Sequence, residues 1–281
     1  MSTWFQNGQA VDAIPLDSRA LHYGDGLFET IAIRDRKARL WALHVERLRS
    51  GCERLGIEAP DEDVLGKQLA HALQSSTVDT QYALAKIIVS ASSGRRGYQR
   101  PADGRAEFLI GIFEAVPPDA ELLRHGVVTR SCETIVAVQP ALAGIKSLNR
   151  LEQVLARKEW QDPEVFEGLM CDADGQLICG TMSNVFVIHG DSVSTPALDR
   201  CGVAGVMRRH VLDTLSANGV TVAVCDIAWD RVLSADEVFL TNSQFGVLPV
   251  RACDEQQWQV GSLSRKILRL MAQAGIEECV A

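Results

Sequence analysis

The chain has 281 residues, 47% of them hydrophobic, and its formal net charge at pH 7 is −8. This length and composition predict a globular protein with a substantial core, arranged as one large domain or two modest ones. The acidic balance argues against a nucleic-acid-binding surface. The sequence contains no run of about 18 apolar residues, so no membrane-spanning helix is predicted.

The cysteines and the N-terminal residues bear on the cellular compartment. The N-terminus lacks a basic flank followed by an apolar stretch, so we expect no secretory signal. The eight cysteines include no C-x-x-C pair, and no histidine cluster accompanies them. These features predict free thiols in a reducing cytoplasm, with neither a disulfide framework nor a metal site.

The first predicted elements are a hairpin and a helix. Residues 31–43 have the pattern of two strands around a turn at Asp35–Lys37. In residues 44–57, apolar side chains recur at helical spacing with charged residues opposite them. This pattern predicts an amphipathic helix that ends at Gly56.

The rest of the chain mixes strands and helices without regular βαβ alternation, which predicts an α/β (α+β) fold in two domains. Strands are predicted at residues 82–92, 106–116, 126–132 and 133–138, over 167–196, and as a strand–loop–strand unit over 236–250. Helices are predicted at residues 149–161, 207–219 and 262–275. Pro117-Pro118-Asp119 is a linker signal. It divides the chain into a small N-terminal domain, residues 1–116, and a larger C-terminal domain, residues 117–281.

Lys146 is the first candidate for chemistry. It follows Ala-Gly-Ile and lies shortly before a predicted helix. Partial burial there would lower the pKa of its amine and make it a competent nucleophile. A solvent-exposed lysine at the end of a strand is the alternative interpretation.

Two further features are candidates for binding an anion. The small residues Gly202–Gly205 precede a predicted helix, so N–H groups at its start would face outward where the helix dipole favours negative charge. A simple tight turn is the alternative. Arg47 lies on the polar side of the first predicted helix, where it would bind an anion through two hydrogen bonds or pair with Glu46 or Glu53.

Six sequence blocks occur in the order found in the fold-type IV pyridoxal-phosphate enzymes, and the chain resembles that family from about residue 5 to about residue 255. The blocks are YGDGLFET (23–30), HVERL (44–48), GIKSLNRLEQ (144–153), GTMSNVFV (180–187), GVAGVMR (202–208) and FLTNSQFGVLPV (239–250). The family includes branched-chain aminotransferases, D-amino acid aminotransferases and 4-amino-4-deoxychorismate lyases. The block that contains the lysine and the loop SSGRRGY (92–98) look most like those of the lyases.

The resemblance implies which residues bind the cofactor, pyridoxal 5'-phosphate. Lys146 matches the lysine that binds the cofactor covalently, and Arg47 matches the arginine that binds its phosphate. Val206 and Met207 match the helix-opening residues whose backbone N–H groups hold that phosphate. A second loop near the phosphate and the substrate is matched by Thr241, Asn242 and Ser243.

The resemblance also implies a substrate pocket and a homodimer. Phe28 lies in the strand that is expected to line the pocket and faces the cofactor region. The substrate of the lyases, 4-amino-4-deoxychorismate, is a dianion. Candidates for binding its carboxylates are Arg95, Arg96 and Arg100 in the Gly/Arg-rich loop. Solvated loop arginines are the alternative interpretation.

Cys179 departs from the family pattern. Members of the family commonly have a glutamate at this position, which keeps the pyridine nitrogen protonated and makes the ring an electron sink. A neutral thiol is a weak donor and a weak acceptor, and burial raises the pKa of a thiol. The electron sink is therefore expected to be weaker here.

The function implied is a lyase that forms p-aminobenzoate and pyruvate from 4-amino-4-deoxychorismate in folate biosynthesis, with Lys146 as general base at C4. A carbanion that expels its leaving group at once needs less stabilisation than one that must wait for reprotonation. The substitution at Cys179 therefore favours a lyase over an aminotransferase. A D-amino acid or branched-chain aminotransferase is the first alternative, and an inactive cofactor-binding protein is the second. No nucleic-acid or membrane partner is expected.

Overall fold

The computed structural model describes residues 3–94, 97–101 and 105–280. The chain forms two compact units. The first covers the chain up to Val116 together with Ile145–Asn149, and the second covers Pro117–Gly144 and the chain from Arg150 onward. Each unit is built on its own sheet, which confirms the predicted α/β (α+β) architecture.

The sheet of the first unit is antiparallel throughout its described part, in the order β2-β1-β6-β5-β3-β4. Its strands are β1 (Thr3–Gln6), β2 (Gln9–Val11), β3 (Gly26–Arg34), β4 (Lys37–Ala38), β5 (Tyr82–Ser90) and β6 (Glu107–Glu114). The helices are α1 (Arg19–Tyr23), α2 (Trp41–Leu55) and α3 (Glu62–Ser75).

The core of this unit lies between the sheet and the two longer helices. Alternate residues of β5, such as Ile87 and Val89, are buried in one cluster with Leu48 and Cys52 of α2, because successive strand residues point to opposite faces. The predicted amphipathic helix is present and ends at Gly56 in a left-handed conformation.

The predicted hairpin over residues 31–43 is shorter than expected. Its second strand is limited to Lys37–Ala38, and α2 already begins at Trp41. Leu40 adopts a left-handed backbone conformation with φ 53°, which ends the extended strand and turns the chain into the helix.

The segment Ile145–Asn149 pairs with the first residues of β3. The Phe28 N–H donates to the Lys146 carbonyl at 2.9 Å, and the Leu148 N–H donates to the Gly26 carbonyl at 3.0 Å. The sequence places Lys146 in the C-terminal domain of residues 117–281, whereas this pairing groups its segment with the first unit.

The second unit contains a mixed sheet in the order β12-β11-β10-β13-β14-β7-β8-β9, with β15 paired to β14. Its strands are β7 (Val127–Ser131), β8 (Val165–Cys171), β9 (Leu177–Gly180), β10 (Asn184–His189), β11 (Ser192–Pro196), β12 (Val222–Cys225), β13 (Glu237–Asn242), β14 (Gly246–Cys253) and β15 (Gln256–Gln257). The helices are α4 (Ala120–His125), α5 (Leu151–Arg157), α6 (Val206–Ala217), α7 (Trp229–Leu233) and α8 (Ser262–Gln273), followed by a 3₁₀ turn at Glu277–Cys279. None of the described helices has the length and apolar character needed to cross a bilayer.

The predicted strand over residues 133–138 is wrong. The Glu133 and Thr134 N–H groups both donate to the side-chain carboxylate of Glu159, at 2.8 Å each. These donors are therefore not available to a neighbouring strand, and the segment follows an irregular path.

Candidate active site

The start of α6 has the form of an anion-binding site. Gly205 is the N-cap residue and has no side chain to satisfy the first N–H groups of the helix. The backbone bond from the Arg209 N–H to the Gly205 carbonyl, 3.0 Å long, closes the first turn. The N–H groups of Val206 and Met207 therefore lie at the positive end of a 12-residue helix.

Asn184 and Thr241 lie beside this helix start. They are directly opposite each other on β10 and β13. The Asn184 side-chain amide donates to the Val203 carbonyl at 2.9 Å. A Cβ atom at Gly205 would be only 2.0 Å from Asn184 Oδ1, so this close approach requires glycine.

The hydroxyl of Thr241 indicates whether a phosphate would fit here. The residue is 1% exposed, and its hydroxyl has no hydrogen-bond partner within the described part of the chain. Buried hydroxyl groups are normally hydrogen-bonded. An oxygen-rich group held at the start of α6 would supply the missing partner, so these residues fit a cofactor phosphate.

The turn after β13 is fixed by the side chain of Asn242. Its Oδ1 accepts hydrogen bonds from the N–H groups of Gln244 at 2.8 Å and Phe245 at 3.0 Å. Ser243 is half-buried within this turn. The oxygen of Asn242 is therefore engaged in holding the turn that carries Ser243.

Cys179 is the third residue of β9 and is 6% exposed. Burial is the main cause that raises the pKa of its thiol to about 12, and the nearby Glu167 carboxylate adds to this shift. The thiol is therefore neutral at physiological pH. Its buried neighbours in the same apolar cluster are Val136, Ala156, Met170, Ile178 and Cys201.

No motif in the sequence points to Glu167, yet its carboxylate is the best-bonded group in this region. It is fully buried on β8 and accepts hydrogen bonds from three backbone N–H groups and two hydroxyls. The donors are the N–H groups of Gly168, Thr181 and Met182 and the hydroxyls of Thr181 and Ser183. A single glutamate inside the otherwise apolar strand VFEGLMC is the signal that would have identified it.

In the first unit, Arg47 is paired with Glu29. Arg47 Nε donates to one carboxylate oxygen of Glu29 at 2.8 Å, and Nη2 donates to the other. The predicted partners Glu46 and Glu53 are therefore replaced by a residue that β3 brings to α2 from a distant part of the sequence.

His44 completes this cluster. Its Nδ1 lies 2.6 Å from Glu29 Oε2, and both residues are 1% exposed. Burial alone would raise the pKa of Glu29, but the charge of Arg47 and the hydrogen bonds of His44 and Arg47 lower it to about 2. Burial lowers the pKa of His44. Glu29 is therefore an ionised carboxylate that fixes the guanidinium of Arg47.

Lys146 and Phe28 are in contact within the same unit. Lys146 Nζ lies 4.4 Å from the centre of the Phe28 ring, and Lys86 Nζ lies 5.0 Å from it. Lys146 is half-buried and also acts electrostatically on His44. The structure therefore brings Lys146 together with Phe28 and the Glu29–His44–Arg47 cluster.

Of the three candidate arginines in the Gly/Arg-rich loop, the structure describes one. Arg95 and Arg96 lie outside the described residues. Arg100 is described, and it donates to Asp25 through Nε at 2.9 Å and through Nη2, while Nη1 donates to the Leu55 carbonyl. Asp25 therefore holds the guanidinium of Arg100 in this structure, and a role of Arg100 in binding a substrate carboxylate stays a prediction.

The comparisons with known proteins agree with this geometry. Residues 26–253 match the family described as amino-transferase class IV. The chain is 34% identical over 265 residues to an aminodeoxychorismate lyase of Vibrio harveyi, covering 93% of this chain and 96% of the relative. The chain therefore belongs to the class IV aminotransferase family.

Solved structures support the same assignment. A 4-amino-4-deoxychorismate lyase of Pseudomonas aeruginosa superposes with a TM-score of 0.89 at 40% identity, covering 96% of this chain and 98% of that chain. A branched-chain amino acid aminotransferase of Escherichia coli superposes with a TM-score of 0.86 at 19% identity, over 99% of this chain and 95% of that chain. This second likeness establishes the fold alone.

Proposed function

We propose that this protein is a pyridoxal-5'-phosphate-dependent lyase that converts 4-amino-4-deoxychorismate to p-aminobenzoate and pyruvate, a step of folate biosynthesis. The observation that carries the proposal is its similarity, over nearly the whole chain, to aminodeoxychorismate lyases of two bacteria.

The residues assigned to the cofactor have separate roles. The N–H groups of Val206 and Met207 would hold its phosphate together with the Thr241 hydroxyl, which has no hydrogen-bond partner among the described residues. Asn242 would support the same region from its turn. Arg47 adds a positive charge whose orientation Glu29 fixes.

Lys146 would bind the cofactor covalently, and its amine would act as general base once the amino group of the substrate has taken its place. When bound, pyridoxal phosphate supplies an electron-withdrawing ring that stabilises negative charge on the reacting carbon. The amine of Lys146 removes the proton at C4 of the substrate, and the ring of Phe28 keeps that amine in place. Departure of the enolpyruvyl oxygen makes the substrate ring aromatic and releases pyruvate. Ser243, Arg95 and Arg96 are assigned to the substrate, because guanidinium groups suit its two carboxylates.

Cys179 supports a lyase rather than an aminotransferase. Its thiol is neutral, so it gives the pyridine nitrogen no charged partner and leaves the ring a weaker electron sink. Elimination needs little stabilisation because the leaving group departs at once. An aminotransferase must hold the charge until the carbon is reprotonated, so the same thiol disfavours that alternative.

We also propose that the enzyme is a cytoplasmic homodimer. Helix α5 exposes Leu151, Val154 and Leu155, and Ile135 and Met182 of the same unit are exposed as well. Apolar side chains exposed in this number suit burial against a second copy of the chain. The eight cysteines are free, which suits a reducing compartment.

The direct test is to supply the purified protein with pyridoxal phosphate and 4-amino-4-deoxychorismate and to measure p-aminobenzoate and pyruvate in equal amounts. The matched control is the Lys146→Ala variant, which should form neither product. Turnover of D-alanine or a branched-chain amino acid with 2-oxoglutarate, without formation of p-aminobenzoate, would replace this proposal by the aminotransferase. Failure of both reactions in a protein that binds the cofactor would favour the inactive binding protein.

A further inference from the structure

Glu167 is bonded almost entirely to one short loop. Four of its five donors come from Thr181, Met182 and Ser183, which connect β9 to β10. Within the loop, the Gly180 N–H donates to the Ser183 carbonyl at 2.8 Å. A Cβ atom at Gly180 would lie 2.2 Å from Ser183 Oγ and 2.7 Å from Glu167 Oε2. The loop is therefore closed tightly around the carboxylate.

One neighbour of this loop is assigned to the cofactor, and the other lies against the start of α6. Cys179 precedes Gly180, and Asn184 follows Ser183. The side-chain amide of Asn184 donates a hydrogen bond to the Val203 carbonyl at 2.9 Å. Its Oδ1 lies against Gly205, the N-cap of α6. Contacts thus run without a break from the carboxylate, through the loop and Asn184, to the start of α6.

We propose that Glu167 is a positioning residue for the cofactor: its buried carboxylate sets the conformation of Gly180–Ser183 and thereby places Cys179 on one side and the phosphate-binding helix start on the other. The inference rests on the proposed cofactor site. A buried carboxylate is tolerated only when hydrogen-bond donors surround it. Because the loop supplies these donors, the conformation of the loop and the presence of the carboxylate depend on each other.

The Glu167→Gln variant separates a positioning role from a merely structural one. One oxygen accepts from the Gly168 and Thr181 N–H groups and the other from the Met182 N–H. Whichever way a glutamine is oriented, its NH₂ group would face a backbone N–H and lose at least one hydrogen bond. We expect the dissociation constant for pyridoxal phosphate, measured by absorbance titration, to rise about 10-fold.

Glu237→Gln is the matched control. Glu237 is also buried, in the same unit, and accepts backbone N–H bonds from Leu263 at 3.3 Å and Ser264 at 2.9 Å at the start of α8. Both variants should lower the melting temperature of the cofactor-free protein. Only Glu167→Gln should also shrink the rise in melting temperature that pyridoxal phosphate produces and shift the visible band of the bound cofactor.

A Thr181→Ala, Ser183→Ala double variant serves if Glu167→Gln does not fold, because it removes two hydroxyl donors and keeps the carboxylate. It should also weaken cofactor binding several-fold. An unchanged dissociation constant and visible band in a folded Glu167→Gln or double variant would overturn the positioning role while leaving the lyase proposal intact. A wild-type protein that binds no pyridoxal phosphate at Lys146 would instead overturn the proposed function, and the inference with it.

Discussion

Lys146 and Phe28 are joined twice, once through the backbone and once through their side chains. The Phe28 N–H donates to the Lys146 carbonyl at 2.9 Å, and the amine of Lys146 lies 4.4 Å from the centre of the Phe28 ring. The backbone hydrogen bond fixes the position of the Lys146 backbone, and the ring limits the positions that its amine can take. A flexible side chain is thereby restricted at both ends.

Phe28→Leu tests the second restriction. Leucine keeps an apolar side chain on β3 but removes the aromatic face, so the amine of Lys146 should be less well placed. We expect the turnover number to fall about 2- to 30-fold, the range that follows from a cation–π contact of about 0.5–2 kcal/mol, with the backbone pairing intact. Steady-state kinetics at saturating cofactor measure this. A turnover number equal to that of the wild type would show that the ring does not orient the amine.

Borohydride reduction tests the assignment of Lys146. The purified enzyme should be yellow, and reduction should abolish its visible absorption and fix the cofactor to one peptide. Mass spectrometry should find that label on Lys146, and Lys146→Ala should carry none. Lys86 is the informative internal control because its amine lies 5.0 Å from the same Phe28 ring. A label on Lys86 or Lys158 would mean that the motif alignment is wrong.

Arg47→Ala is expected to have two separable effects. Loss of a charged hydrogen bond to the phosphate should weaken cofactor binding about 10- to 100-fold. The variant also leaves the Glu29 carboxylate buried with His44 alone, which should lower the free energy of unfolding by about 3 kcal/mol. Chemical denaturation and cofactor titration measure the two effects independently.

The matched control for Arg47→Ala is the double variant with Glu29→Gln. Removing the carboxylate charge as well should restore much of the lost stability, while cofactor binding stays weak. If either variant binds the cofactor as tightly as the wild type does, Arg47 does not contact the phosphate.

Glu29 should also shape the acid stability of the protein. Its pKa is lowered to about 2 in the folded chain from an ordinary value of 4.5, so the unfolded chain binds more protons between these values. The corresponding stability, about 3 kcal/mol, is fully present above about pH 5 and is lost as the pH falls toward 2. Urea unfolding at a series of pH values should show this loss. In Glu29→Gln the free energy of unfolding should depend less on pH between about pH 5 and pH 2. A pH dependence identical to that of the wild type would contradict the buried ion pair.

Cys179→Glu tests why a thiol is tolerated in β9. A carboxylate beside the pyridine nitrogen should raise any slow aminotransferase side reaction while changing lyase turnover little, because elimination does not depend on a long-lived carbanion. The residue is buried in an apolar cluster, so the larger side chain should cost about 1–3 kcal/mol of stability. Cys179→Ala is the control for a change at this position without a charge. A well-folded Cys179→Glu with lyase turnover raised by several orders of magnitude would refute this explanation.

The local elements were predictable because their signals are local. The apolar stripe of α2 and its terminal Gly56 specify a helix within one short stretch. The glycine-rich turn before α6 likewise specifies a helix start without a side-chain cap. The α/β (α+β) class also followed from the pattern of strands and helices. These features depend on neighbours that lie a few residues apart.

The pairings of charged groups were not predictable because they join distant parts of the chain. Nothing near Arg100 in the sequence indicates that Asp25 will take its guanidinium, and nothing near Arg47 indicates Glu29. The strand expected at 133–138 does not form for the same reason, because its first N–H groups donate to the Glu159 carboxylate. A side chain that arrives from elsewhere in the fold decides each case.

The pairing of Ile145–Asn149 with β3 bears on how the protein folds. The Gly26 carbonyl and the Phe28 N–H find these partners only after the ribosome has made the chain well beyond residue 116. The first unit therefore closes through a long loop, and such closure is slow because chain entropy opposes it. A nascent chain that stops at residue 116 would leave the leading edge of β3 unpaired and prone to aggregation. The amine of Lys146 reaches its position over Phe28 only when this pairing forms, so the first unit alone, ending at residue 116, cannot carry the proposed chemistry.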